Sequence, residues 1–282
     1  MLKKIKSFDG VKICYKIKRV SDFFLIFLHG IGQDINVWNK EIEFFQKKGF
    51  STLAIDMRGH GLSERPDLIT HYHLDNFAND IYQVIKRENI RNFIMIGYSL
   101  GGMVTINFHK LYPKLAKGYI LIDTTYKPPK ELRIIKNSFI NHLIERISKN
   151  KELNRKLFPK MDYEKFVEKG DFYLERIYLY IMQTSLKSWF YTFENIADFD
   201  GIKVLKSINK PVLIIEGEKD SIVDVKVAKK MHRLIRTSKI EIIPKANHFV
   251  ILSKPDELEK AILSYILEIG KFIGLKYDVK AP

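Results

Sequence analysis

The sequence predicts an α/β protein: a mostly parallel sheet covered by helices on both faces, with a helical segment inserted between two of its strands. Three observations predict it. From Phe23 onward, short continuously apolar runs alternate with longer amphipathic stretches, as strands buried on both faces alternate with their crossover helices. Each run ends at a loop carrying glycine or polar residues, the edge at which open α/β sheets place their chemistry. Between about Lys127 and Leu205 the alternation stops and no β-like run occurs.

In chain order, residues 3–8 and 11–16 read as a β-hairpin turning at Asp9-Gly10. Strand candidates follow at residues 23–28, 51–55, 93–96, 118–122, 212–215 and 240–243. In the last helix Leu258, Ala261, Ile262, Tyr265, Ile266 and Ile269 line one face, with Ser253 and Asp256 around Pro255 as its start signal. The uninterrupted helical stretch begins after Pro128-Pro129. Ile140, Ile144 and Ile147 form one stripe there; Leu174, Ile177, Tyr178 and Ile181 form another. The chain therefore divides into a core of residues 1–126 and 206–282 and a helical cap of residues 127–205.

Composition narrows the function classes. The 282 residues carry 48 Lys+Arg against 33 Asp+Glu, a net +15. The basic residues are scattered as pairs such as Lys3-Lys4, Lys47-Lys48 and Lys229-Lys230 among acids, without a nucleic-acid-binding motif, and read as a solvated surface. Cys14 is the single cysteine, which excludes an intramolecular disulfide framework and cysteine-cluster metal sites. Residues 1–15 alternate charged and apolar positions, unlike a signal peptide, and the run 23–28 is too short to span a bilayer. The expectation is a cytoplasmic monomer or homodimer acting on a small molecule, with no nucleic-acid partner and no stable membrane insertion.

The motif richest in chemistry is Gly97-Tyr98-Ser99-Leu100-Gly101, directly after one strand candidate and before a helical stripe of Val104, Phe108 and Leu111. This is G-x-S-x-G in the strand-turn-helix setting it requires. The sharp turn strains the serine backbone, needs glycine on both sides, and lifts Oγ to a helix N-terminus where the Leu100 N–H faces a developing oxyanion. His29-Gly30-Ile31-Gly32-Gln33 ends the first parallel strand and supplies a second oxyanion donor, the Ile31 N–H. A nucleophilic serine needs a base and an orienter for that base. His248, just past the last strand, sits at the same sheet edge as Ser99, and Asp220 follows the strand 212–215 there. The order Ser99, Asp220, His248 is nucleophile, acid, base. His71, His73, His109, His142 and His232 read as surface residues.

With these motifs in register the sequence resembles the α/β-hydrolase superfamily of serine hydrolases, in the form with a helical cap shared by esterases, monoacylglycerol-lipase-like enzymes and cofactor-free peroxidase-like members. Asp56-Met57-Arg58-Gly59-His60-Gly61-Leu62-Ser63 is similar to that family's D-x-R-G-x-G-x-S stretch, which is mostly structural, so His60 is not assigned to catalysis. The resemblance implies an eight-stranded sheet. One departure is Asp224, where relatives often carry proline; Asp224, and Asp123 after the strand before the cap, stand as rivals to Asp220. Serine at the elbow excludes the dehalogenase and epoxide-hydrolase branches, which use an aspartate nucleophile. The implied chemistry is acyl transfer from a carboxylic ester through Ser99, with neither metal nor organic cofactor required. Alternatives on the same residues are an acyltransferase, a perhydrolase, a lactone or C–C bond hydrolase, or a non-catalytic ligand-binding protein. The cap is rich in Phe172, Tyr173, Tyr178, Tyr180, Trp189, Phe190, Tyr191 and Phe193, mostly packing groups. Since three consecutive aromatics cannot share one helix face, Trp189 is a substrate-binding candidate together with Tyr98, and medium-chain esters are the expected preference.

Overall fold

The computed structural model describes residues 1–128, 146 and 161–275. Its strands are β1 (Leu2–Lys6), β2 (Lys12–Lys18), β3 (Phe23–Leu28), β4 (Ser51–Asp56), β5 (Asn92–Tyr98), β6 (Gly118–Ile122), β7 (Val212–Gly217) and β8 (Ser238–Ile243). They form one eight-stranded sheet in the order β1-β2-β4-β3-β5-β6-β7-β8. β1 pairs antiparallel with β2 and β2 antiparallel with β4, while the pairings from β4 to β8 are all parallel. Exposure follows position: β3 is buried at every residue, whereas the edge strands β1 and β8 alternate.

The described helices are α1 (Asn39–Lys47), α2 (Leu74–Arg87), α3 (Leu100–Leu111), α4 (Leu174–Thr184), α5 (Leu186–Ile196), α6 (Ile202–Ser207), α7 (Val225–Leu234), α8 (Val250–Ser253) and α9 (Pro255–Ile273). The two-residue period of a strand deals its side chains to two cores. Phe24, Ile26 and Leu28 of β3 pack with α2 and α3, while Phe23, Leu25 and Phe27 pack with α1 and α9. No described helix is long and apolar enough to cross a membrane. α4 and α5 lie against the strands' carboxyl-end loops: Tyr180 meets Phe249, with ring centroids 6.1 Å apart, and Tyr191 meets Tyr72 at 5.6 Å.

Four local expectations are corrected. α9 starts at Pro255 with Lys254 as an uncapped N-cap, because the Ser253 hydroxyl donates back to the Phe249 carbonyl (3.1 Å). His109 is buried rather than on the surface, since α3 is covered on nearly every side; its Nδ1 lies 3.0 Å from the Tyr119 hydroxyl, and burial lowers its pKa. Phe172 and Tyr178 are exposed and so do not pack onto the core. The Leu174 stripe holds only in part: Ile177 and Ile181 are half-buried, but Leu174 and Tyr178 face solvent, and α4 buries Arg176, Tyr180, Gln183 and Thr184 most deeply. The Ile140 stripe and His142 lie outside the described residues.

Candidate active site

Ser99 joins β5 to α3 at φ 51° and ψ −114°, a left-handed conformation that an L-residue holds only under constraint. The constraint is close packing. A Cβ on Gly97 would run into the Gly101 carbonyl, and one on Gly101 into the Leu28 carbonyl. The Ser99 N–H donates to the Ile122 carbonyl at 2.9 Å and the Thr124 hydroxyl to the Ser99 carbonyl at 2.6 Å, tying the elbow to β6. Leu100 opens α3, where a helix leaves its N–H without an internal acceptor.

His248 follows β8 and lies between two partners: Nε2 is 3.2 Å from Ser99 Oγ, and Nδ1 is 2.6 Å from Asp220 Oδ2. Asp220 Oδ1 accepts the N–H groups of Ile222 and Val223, both at 2.7 Å. Burial acts to raise the Asp220 pKa, but the hydrogen bond and charge of His248 outweigh it, and the carboxyl sits below its ordinary value. The backbone of His248 is clamped on both sides. Its N–H donates to Asp171 Oδ1 (2.9 Å) and its carbonyl accepts from the Tyr98 hydroxyl (2.9 Å). Tyr98 therefore lines the cavity with its ring while its hydroxyl is committed to the histidine loop.

The rival acids are placed elsewhere. Asp224 caps α7, its Oδ1 accepting the Lys226 N–H at 2.7 Å. Asp123 is fully buried behind the site, accepting the Gly217 N–H at 2.8 Å; burial first, then the charge of Asp220, pushes its pKa well up. Glu216, beside both, is pushed up to about 12, again chiefly by burial and then by Asp123. Oxygens of these three carboxyls lie within 4.8 Å of one another, a spacing that fits a cation. The set does not offer a cation free ligands: Asp220 is committed to His248 and two N–H groups and Asp123 to the Gly217 N–H, while burial favours the protonated form of Asp123 and Glu216.

A cavity of about 480 Å³ opens on Ser99 and His248 and is bounded by Gly30, Ile31, Leu100 and Trp189. Gln33 braces the first loop, its Oε1 accepting the Gly30 N–H (2.9 Å) and its Nε2 donating to the Tyr180 hydroxyl (3.0 Å). The predicted residues Ser99, His248, Ile31, Leu100, Tyr98 and Trp189 all face this cavity, with Asp220 behind the histidine. Sequence reasoning missed Asp171, Arg176, Gln33 and Tyr180. The sole signal was Gln33 inside the glycine-rich loop; the others come from a helical stretch with no motif.

His29 and His60 are neutral struts. The His29 pKa falls to about 4 through burial, with Nε2 accepting the Met57 N–H at 3.1 Å, and burial, then the neighbouring His29, holds the His60 pKa well below its ordinary value. The Asp56 carboxylate gathers the Ile35 and Leu62 N–H groups at 2.8 Å each, and the Ser63 hydroxyl donates to the Asp56 carbonyl at 2.5 Å.

This architecture and elbow are those of the alpha/beta hydrolase fold, whose family model matches residues 24–255. The chain belongs to the α/β-hydrolase family. It is 26% identical over 276 residues to a bifunctional esterase/perhydrolase of Acinetobacter calcoaceticus, covering 92% of this chain and 97% of that one. It is 24% identical over 245 residues to 2-(acetamidomethylene)succinate hydrolase of Mesorhizobium japonicum, covering 86% and 87%. Among solved structures, a thermophilic esterase from Thermogutta terrifontis is similar in fold at a TM-score of 0.77 and 20% identity, covering 95% of this chain and 99% of that one.

Proposed function

We propose that the protein is a serine hydrolase that cleaves carboxylic esters through an acyl-enzyme on Ser99. The observation that carries this reading is the continuous chain from Ser99 Oγ through His248 to Asp220, at 3.2 and 2.6 Å. Ser99 Oγ attacks the ester carbonyl as His248 Nε2 takes its proton, and Asp220 holds the imidazole with Nδ1–H inward. The N–H groups of Ile31 and Leu100 receive the oxyanion. His248 returns the proton to the departing alcohol, and water, activated the same way, releases the acid. No step calls for a metal or organic cofactor. Residues 127–205 act as the cap, and its part in α4 and α5 forms the cavity wall opposite the serine.

A fluorophosphonate should add once to the protein, as seen by intact mass, and not at all to Ser99→Ala; that variant should also lose at least about 10³-fold in kcat on 4-nitrophenyl butyrate. An adduct that persists in Ser99→Ala refutes the nucleophile. One further outcome is favoured by the esterase/perhydrolase relative: hydrogen peroxide in place of water as acyl acceptor, read as peracid formed from the same ester.

A further inference from the structure

The inward face of α4 carries a charge among Ile177, Leu179 and Tyr180. Leu174, 79% exposed, is left in solvent while Arg176, at 0%, is buried, an exchange that opposes the hydrophobic effect. Arg176 Nη2 donates to the carbonyls of Gly170 (2.6 Å) and Asp171 (2.8 Å), and its guanidinium lies 3.4 Å above the ring of Phe249, the neighbour of His248. Those contacts would suffice for a strut except at Nη1, which is buried and has no acceptor. No carboxylate of the described residues pairs with the guanidinium. The nearest candidate, Asp171, directs its own oxygens to the His248 N–H and to the backbone and hydroxyl of Ser221. Arg176 belongs to the wall of the same cavity as Ser99 and His248, and the remaining wall is largely apolar, with Ile177, Trp189 and Phe193 among its members.

A buried cation with unused donors in a largely apolar cavity, whose one neighbouring carboxylate, Asp171, is committed to other groups, has the makings of an anion site. Resting on the ester-hydrolase reading, we propose that the substrate carries a carboxylate, which binds Arg176 Nη1 while the ester carbonyl lies at Ser99. The substrate class is thus a half-ester, or a lactone with a free acid, in which an apolar spacer separates the two ends. Because the guanidinium is sealed from water, the anion reaches it as neighbouring wall side chains rotate aside. The net charge of +15 favours the approach of such a substrate.

The test pairs binding with turnover. Calorimetric titration should give 4-phenylbutyrate at least about tenfold tighter binding than the isosteric 4-phenylbutanamide, the low end of what a charged hydrogen bond supplies. Arg176→Gln should bring that ratio close to one, and Arg176→Lys should retain part of it. In parallel, the kcat/KM ratio of mono-(4-nitrophenyl) glutarate to 4-nitrophenyl pentanoate should fall by about tenfold or more in Arg176→Gln. A purely structural role would lower both esters together and leave the ratio unchanged, which overturns the proposal. So does equal binding of acid and amide by the unaltered protein, a comparison that needs no variant to fold; Nη1 then serves a water. If neither ester is turned over yet the acid binds selectively through Arg176, the anion site stands and the hydrolase reading falls. Turnover of the neutral ester alone does the reverse.

Discussion

Among the described residues, two arginines are buried completely near the carboxyl edge of the sheet, and their surroundings treat them in opposite ways. Arg58, in the loop after β4, has every donor committed: Nε and Nη2 hold Asp80 at 2.7 Å each, and Nη1 reaches Asp9 (2.9 Å) and the His71 carbonyl (2.8 Å). Arg176 on α4 has a nitrogen without an acceptor and faces a cavity. The histidines divide by position rather than by satisfaction, since His60 Nε2 is also buried without a partner. His29 and His60 are sealed and neutral, whereas His248 turns Nε2 toward a serine at the cavity. Arg58, with every donor satisfied, braces the loop after β4 as scaffold, whereas an unsatisfied buried donor such as Arg176 Nη1 costs about 1–3 kcal/mol. The loops after β3, β5, β7 and β8 border the cavity instead.

The strongest way to break that division is to exchange the acids. Asp220→Asn should cut kcat by about 10³–10⁴-fold, because an amide cannot hold the imidazole with Nδ1–H inward as a carboxylate does. Asp123→Asn and Asp224→Asn should each cost less than about tenfold: the first carboxyl, whose neutral form burial favours, bonds to the Gly217 N–H and not to His248, and the second caps a helix away from His248. A larger loss at Asp123 than at Asp220, in steady-state assays on 4-nitrophenyl butyrate, would move the acid of the site to β6.

The next effect is on stability. Arg58→Met leaves Asp80, 2% exposed, without its cation and should lower the unfolding free energy by about 3–5 kcal/mol, read from the midpoint of urea denaturation. Arg176→Met removes two hydrogen bonds to backbone carbonyls and no ion pair, so its loss should be less than half as large. Equal losses would make both arginines struts and dissolve the comparison.

The sheet was legible because a parallel strand buried on both faces leaves a continuous apolar run, as in Phe23–Leu28, and the elbow because the close approach of Gly97 and Gly101 to backbone admits no other residue. Ser99, His248 and Asp220 stand at strand ends, where chemistry is sought. Asp171 and Arg176 were illegible for physical reasons. Asp171 meets His248 from 77 residues away, a contact made by tertiary packing with no spacing to reveal it. Arg176 was hidden by the rule that a helix buries its apolar stripe, which α4 follows at Ile177 and Ile181 but not at Leu174 and Tyr178. Such conflicts between local pattern and global fold gather at functional sites. His109 was misread by the same logic in a milder form, since a helix covered on all sides has no polar face to give it.

The smallest expected effect probes the apolar part of the cavity, the counterpart to Arg176. Trp189 lines the cavity and packs against Phe193 with ring centroids 4.1 Å apart, while Tyr191, two residues on, is buried against Tyr72. The two aromatics thus leave α5 on different faces, and Trp189 is the one placed to meet a substrate chain. Each methylene taken from water is worth about 0.8 kcal/mol, so kcat/KM on neutral 4-nitrophenyl esters should rise about fourfold per added CH₂ until the cavity of about 480 Å³ is filled, around C4 to C10. Trp189→Ala removes one wall. The added methylenes then stay partly hydrated, and the rise should flatten to about twofold per CH₂ or less while the optimum moves to longer chains. The ratio between carboxylate-bearing and neutral esters should change little, because Arg176 stands on α4 and not on α5. A chain-length profile that is the same with and without Trp189 would remove that side chain from substrate recognition.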